Sequence, residues 1–220
     1  MSSTSCKIIV LAKAPISGYA KTRMIPQLGK AGAAELQQRL LQQTINMCHQ
    51  AQLADIDLYC SPDTQQPIFG QLQQQYAINL YQQQGNDIGQ RMYQAITEGL
   101  QHADKVVLVG TDCPSLETSH LKSAFDSLKP QSPLAIAPAE DGGYVLMAAT
   151  AIHPSIFQNI HWSSSHVYAQ TCQAIKQLGW LHTQLDTLRD LDTPDDLKYL
   201  NKQQRQILLA QADINTEVLI

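Results

Sequence analysis

Short, continuous apolar runs alternate along this chain with longer stretches in which apolar residues recur at helical spacing. Lys7-Ile8-Ile9-Val10-Leu11-Ala12 is uninterrupted after its first residue, the pattern of a strand buried on both faces in a parallel sheet. From Ala31 to Gln52 the apolar positions Leu36, Leu40, Leu41, Ile45, Met47 and Cys48 predict a helix. The same reading predicts a strand over Asp55 to Cys60, a helix over Pro67 to Tyr76 and a strand over Ala77 to Tyr81. A helix over Gly89 to His102 follows, then the most apolar strand, Val106 to Val109, a helix over Ser119 to Leu128 and a strand over Leu134 to Ala137. Strand and helix thus alternate about every 25 residues, the signature of βαβ units and a parallel sheet with helices on both faces. After Pro138 the rhythm loosens. Tyr144 to Ala149 is a strand reached through an Asp141-Gly142-Gly143 turn, Ser164 to Leu178 a helix with Ser163-Ser164-Ser165 as its capping run, and a short strand lies near Leu181. Asp192-Thr193-Pro194 opens another helix, with proline at its first position, and the tail beyond Leu200 is expected to be helical. No linker or internal repeat interrupts the series, so a single domain is expected, with its core over about residues 7–200.

Composition adds limits. The 220 residues are 44% hydrophobic, with a net charge of -4 and no basic stripe, which speaks against a nucleic-acid partner. No stretch approaches the roughly 20 apolar residues of a membrane span, and Ile8 to Ala12 is too short for a signal-peptide core. The cysteines Cys6, Cys48, Cys60, Cys113 and Cys172 are scattered, without a C-x-x-C pair, and read as reduced thiols of a cytoplasmic protein. The seven histidines form no metal-ligand spacing. The abundant glutamines fall on polar helix faces.

In an open parallel sheet, ligands bind outside the carboxyl ends of the strands, so the following loops should carry the chemistry. The first loop, residues 12–23, holds Lys13, Lys21 and Arg23 around Gly18. Three cations and a flexible backbone suit a di- or triphosphate, although neither a Walker P-loop nor a G-x-G-x-x-G turn is present. The second, Gln84-Gly85-Asn86-Asp87-Ile88-Gly89, places two glycines about a helix start that Asp87 and Gln90 can cap. The third, Gly110-Thr111-Asp112-Cys113-Pro114, sets Asp112 just past the most buried strand, where it is either a turn aspartate or an oxygen ligand of Mg²⁺ or Mn²⁺. The fourth, Glu140-Asp141-Gly142-Gly143-Tyr144, is a tight turn whose acids can face a substrate. Asp192 in Asp190-Leu191-Asp192-Thr193-Pro194 becomes a second metal carboxylate if that loop folds back to Asp112. Cys113 has no partner base and is a poor nucleophile candidate.

These five motifs, in this order over about residues 7–200, resemble a bacterial family of glycosyltransferase A-type proteins related to nucleotide-diphospho-sugar transferases and sometimes associated with arsenosugar biosynthesis. The resemblance implies a three-layer αβα sandwich with a mixed, mostly parallel sheet. It implies Lys21 and Arg23 on the nucleotide phosphates and Asp112 and Asp192 on Mg²⁺ or Mn²⁺; the loop positions Lys13, Gly18, Gln84, Gly85, Gly89 and Thr111 are the candidates to contact the nucleotide. Asp141, or its neighbour Glu140, is the candidate to orient or deprotonate an acceptor hydroxyl. The chain departs from the sugar nucleotidyltransferase pattern in having one glycine after the first strand, and it lacks a D-x-D at Asp112. Sugar transfer from a nucleotide-diphospho-sugar to an unknown small acceptor is the leading expectation. Nucleotidyl transfer from a nucleoside triphosphate with release of pyrophosphate is the second, and nucleotide binding without turnover the third.

Overall fold

The computed structural model describes residues 4–209. Its centre is a seven-stranded sheet built from β1 (Cys6–Lys13), β2 (Asp55–Ser61), β3 (Asn79–Gln82), β4 (Lys105–Val109), β5 (Leu134–Pro138), β6 (Tyr144–Ala149) and β7 (His182–Gln184). The spatial order is β3-β2-β1-β4-β6-β5-β7. β1, β2, β3 and β4 run parallel, β6 is antiparallel to both β4 and β5, and β7 is again parallel to β5. The helices are α1 (Ile25–Ala51), α2 (Pro67–Tyr76), α3 (Ile88–Leu100), α4 (Thr118–Ser127), α5 (Val167–Gln177) and α6 (Lys202–Leu209).

Side chains alternate across a strand, so each continuous apolar run feeds two cores. Ile8 and Val10 of β1 enter one layer with Leu41, Ile45, Phe69 and Leu121 of α1, α2 and α4. Ile9 and Leu11 enter the opposite layer with Met92 and Ile96 of α3 and Ile175 of α5. The result is the expected three-layer αβα sandwich. A third cluster packs Leu191, Leu197 and Leu208 against Met24, Leu36 and Leu40, so the C-terminal segment returns to α1, beside the end of β1.

Three elements differ from expectation. The helical segment of α1 starts at Ile25, not Ala31, and breaks at Gly29, where φ is 68°, a left-handed value that glycine adopts without penalty. The segment opened by Asp192-Thr193-Pro194 is a short 3₁₀ helix, Pro194–Tyr199, stopped by Leu200 in extended conformation. Ser163-Ser164-Ser165 does not cap a helix: α5 starts at Val167 after His166. Ser164 instead closes a turn, its hydroxyl donating to the His161 carbonyl and accepting from the His166 N–H. The tail expected to be helical is so over Lys202–Leu209, and the rest of it lies outside the described residues.

Candidate functional site

A cleft of about 460 Å³ opens at the carboxyl ends of β1 and β4, where the antiparallel β6 begins. Its polar wall is formed by Lys13, Lys21, Arg23, Thr111, Asp112 and Asp192. The loop after β1 is pinned at its start by the Ala14 N–H donating to the Ser61 carbonyl at 2.7 Å. Gly18, with φ of 79°, turns the chain back. Lys21 then adopts a left-handed backbone, φ 47° and ψ 46°, which non-glycine residues rarely take. That turn sends its side chain inward, where it is 3% exposed.

The Lys21 ammonium sits among three oxygens. It donates to the Leu191 carbonyl at 2.6 Å, and lies 2.9 Å from Asp112 Oδ1 and 3.8 Å from Asp192 Oδ1. Arg23 Nη1 meets the other Asp192 oxygen at 2.6 Å. One backbone bond makes this meeting possible: the Leu191 N–H donates to the Asp112 carbonyl at 2.7 Å, fastening the 190–192 segment to the end of β4. The next residues are fixed by a capping box, in which Asp196 accepts from the Thr193 N–H at 2.7 Å, the Thr193 hydroxyl at 2.8 Å and the Asp192 N–H at 3.1 Å. Burial raises the Asp196 carboxyl, but these bonds and Arg189 hold it below its ordinary range.

Behind this wall, Gln37 on α1 donates to the Thr111 hydroxyl at 3.0 Å and to the Lys13 carbonyl at 3.2 Å. Thr111 in turn approaches Asp112 Oδ1 at 3.4 Å. Gln83 donates to the Ala12 and Tyr59 carbonyls at 3.0 and 2.9 Å. Both glutamines line the cleft and tie neighbouring strand ends together, roles that their plain polar character in sequence did not signal. Lys13 extends its ammonium over the Tyr19 ring, 4.2 Å from the centroid.

Several residues singled out in the sequence do not line the cleft. Gly18, Gln84, Gly85 and Gly89 lie outside its wall. Gly85, at φ 130°, lets its carbonyl accept from Arg91 Nε at 3.1 Å. Gly89 is buried because Trp162 lies on it. From the second loop the cleft receives Ile88, Arg91 and Met92. Asp141 also lies outside the wall, its Oδ1 accepting the Gly143 N–H at 2.8 Å to hold the turn. Glu140 is ion-paired with Arg189.

The carboxylate that does enter the cleft from this side is Asp190. Burial and the nearby Asp141 charge push its carboxyl up to about 6, with Asp192 adding to the shift and its own backbone hydrogen bond and Lys21 opposing it. The available signal was Asp190-x-Asp192 itself, since alternate residues of an extended segment face the same way. Burial raises the Cys113 thiol, against nucleophilic use. No histidine among the described residues lines the cleft.

Among the described residues, no group of three or more His, Cys, Asp or Glu side chains is arranged to hold a metal. Asp112 and Asp192, with side chains 48% and 36% exposed, share one wall. Mg²⁺ needs one or two protein carboxylates when phosphate oxygens and water complete its shell. This donor set therefore fits a cation that arrives with a di- or triphosphate better than one held by protein alone.

The bacterial family described as "Uncharacterized protein conserved in bacteria" (DUF2064) matches residues 44–164. No curated protein matches the chain. Among solved structures, a "putative nucleotide-diphospho-sugar transferase" from Desulfovibrio desulfuricans is 28% identical over 96% of both chains, with a TM-score of 0.82. The 4-diphosphocytidyl-2C-methyl-D-erythritol synthase of Anaerococcus prevotii aligns over 91% of this chain and 98% of its own at 11% identity, TM-score 0.56. Glucosyl-3-phosphoglycerate synthase of Mycobacterium tuberculosis, solved with Mn²⁺ and uridine diphosphate, aligns over 97% and 81% at 9% identity, TM-score 0.51. The last two likenesses concern the fold alone. The fold is that of the nucleotide-diphospho-sugar transferases.

Proposed function

Because the chain belongs to this conserved bacterial family and has the fold of nucleotide-utilising transferases, we propose that it transfers a sugar from a nucleotide-diphospho-sugar to a small-molecule acceptor. The observation that carries this reading is the convergence of Lys21, Arg23, Asp112 and Asp192 on one cleft wall. Asp112 and Asp192 would hold Mg²⁺ or Mn²⁺, which supplies positive charge to the diphosphate as it becomes the leaving group. Lys21, buried and fixed by the Leu191 carbonyl, would meet a phosphate oxygen by exchanging for it one of its two carboxylate neighbours, Asp112 or Asp192. Arg23, more than half exposed, can turn from Asp192 to a phosphate oxygen with a planar pair of donors. Ile88, Met92 and Leu108 give the cleft an apolar stretch against which a base or sugar ring can pack. Asp190 takes over from Asp141 as the carboxylate placed to receive the acceptor's hydroxyl proton.

The same cations also suit a triphosphate, so nucleotidyl transfer is the variant to separate. Thermal melting with a panel of nucleotide sugars and nucleoside triphosphates, with and without Mg²⁺ or Mn²⁺, tests both. A ligand at about 100 times its Kd stabilises by about 2.7 kcal/mol. Metal-dependent stabilisation by a nucleotide sugar, lost in Asp112→Asn, is the expected result, and turnover should release nucleoside diphosphate. Pyrophosphate as product selects nucleotidyl transfer. Stabilisation unaffected by Asp112→Asn points to binding without catalysis, and no stabilisation by any nucleotide overturns the proposal.

A further inference from the structure

A second cavity, of about 500 Å³, lies on the other side of the first turns of α3 from the nucleotide cleft. Ile88, Arg91 and Met92 of that helix line the cleft, while Asp87, Gln90 and Tyr93 line the second cavity. Its other wall is the segment that follows the 3₁₀ turn Pro154–Phe157. That segment is held at both ends. Ile156 and Phe157 are anchored in the core, 0% and 6% exposed. The His161 N–H donates to Gln170 Oε1 on α5 at 2.8 Å, and Ser164 closes back on His161 at 2.6 Å. Between these anchors, Trp162 lies so close to Gly89 that a Cβ there would come within 2.3 Å of its Cζ2. Tyr93 and Phe157 pack with ring centroids 6.1 Å apart at 55°.

The chemistry of this wall differs from that of the cleft. Two partly exposed aromatic residues, Tyr93 and Trp162, line it together with the exposed amides of Gln158 and Asn159, and the buried Phe157 backs Tyr93. Among the described residues, no Lys, Arg or His lines it. The carboxylate that lines it among the described residues, Asp87, is already engaged, accepting the Gln90 N–H at 2.8 Å as the cap of α3. A phosphate or other anion would therefore find no counter-charge there. Aromatic faces pack against the C–H faces of a saturated ring, while side-chain amides both donate to and accept from hydroxyls.

We propose that this groove seats the neutral, hydroxyl-rich part of a substrate: a sugar ring or a comparable cyclic polyol. Because the first turns of α3 stand between groove and cleft, only an acceptor long enough to pass that helix would engage both, an assignment that rests on the transferase reading above. Saturation-transfer NMR with methyl α-glucoside, methyl α-mannoside and inositol, without nucleotide, tests the groove directly. At least one probe should receive saturation on its ring protons from the wild-type protein, and the signal should fall at least about tenfold in Trp162→Ala. Asn159→Gly gives a second test that does not risk the fold, because Asn159 has φ of 58°, which glycine takes readily. Loss of that amide should weaken binding about three- to tenfold. No transfer to any of the three probes, or undiminished transfer in both variants, overturns the proposal. The nucleotide melting experiment is read separately. Trp162-dependent probe binding without any nucleotide effect would keep the groove and remove its role as an acceptor site.

Discussion

Lys7 lies 2.7 Å from Asp57, and Lys21 lies 2.9 Å from Asp112, but burial gives the two pairs different consequences. In the first pair, the Asp57 side chain is 4% exposed and also accepts from Asn79 Nδ2 at 2.9 Å, so both its oxygens are satisfied by protein. In the second, the lysine is buried and the aspartate is 48% exposed, leaving the carboxylate open to a ligand. Removing Lys7 should therefore act on stability. Lys7→Met leaves a buried carboxylate with Asn79 alone and is expected to destabilise by about 3–5 kcal/mol, the usual cost of breaking a buried pair from one side. Replacing both partners, Lys7→Met with Asp57→Leu, should recover most of that loss, because an apolar pair of similar volume needs no compensation. Urea denaturation of the single and double variants at neutral pH measures both. A single variant within about 0.5 kcal/mol of wild type would mean that the pair contributes no more than an exposed one.

At the scale of elements, the first turn of α3 separates the two cavities, and Gly89 sets how closely Trp162 can approach it. Gly89→Ala would place a methyl group against the indole and should destabilise by about 1–3 kcal/mol through overpacking, offset in part by alanine's helix preference. The Trp162 emission should shift to longer wavelength as the ring is displaced. An unchanged melting temperature with unchanged emission would show that the contact yields without cost. This residue also marks where the sequence stops being legible. The strands β1 and β4 were plain because continuous apolar runs admit few alternatives, and α2 was found at its observed bounds, Pro67–Tyr76, because a proline starts it. Gly89 invited a ligand role because glycine at a helix start so often faces an anion, whereas its partner is a tryptophan on a distant loop. Gln37 and Gln83 were invisible for a related reason. Among so many glutamines, only the three-dimensional fold reveals which two tie strand ends together.

At the scale of the whole molecule, the cleft is the meeting of an N-terminal parallel half with a C-terminal segment that returns to α1 and to the end of β4. Strand periodicity foretold the first, but the return is set by contacts distant in sequence, the packing of Leu191 and Leu197 on α1 and the bond from the Leu191 N–H to the Asp112 carbonyl, which no local pattern encodes. The return also concentrates acids, and the cost should appear as pH-dependent stability. Asp190 has its carboxyl pushed up to about 6 in the folded protein, first by burial and then by Asp141. Between its ordinary value of 3.8 and about 6, the folded state holds a proton at Asp190 that the unfolded chain has released. This group therefore favours folding at low pH and progressively loses that contribution as pH rises through about 6. Other groups run the opposite way. Burial lowers His182, so acidification through its ordinary value of 6.5 favours the unfolded chain, and wild-type melting alone would mix the two. Comparison with Asp190→Asn isolates the carboxylate. The variant, without ligand, should melt above wild type at pH 7.5, where Asp190 is ionised. The difference should shrink steadily towards pH 4.5, where the wild-type carboxyl is protonated and resembles the amide. A difference that stays constant across this range, or grows on acidification, would mean that Asp190 is not held against ionisation by its neighbours.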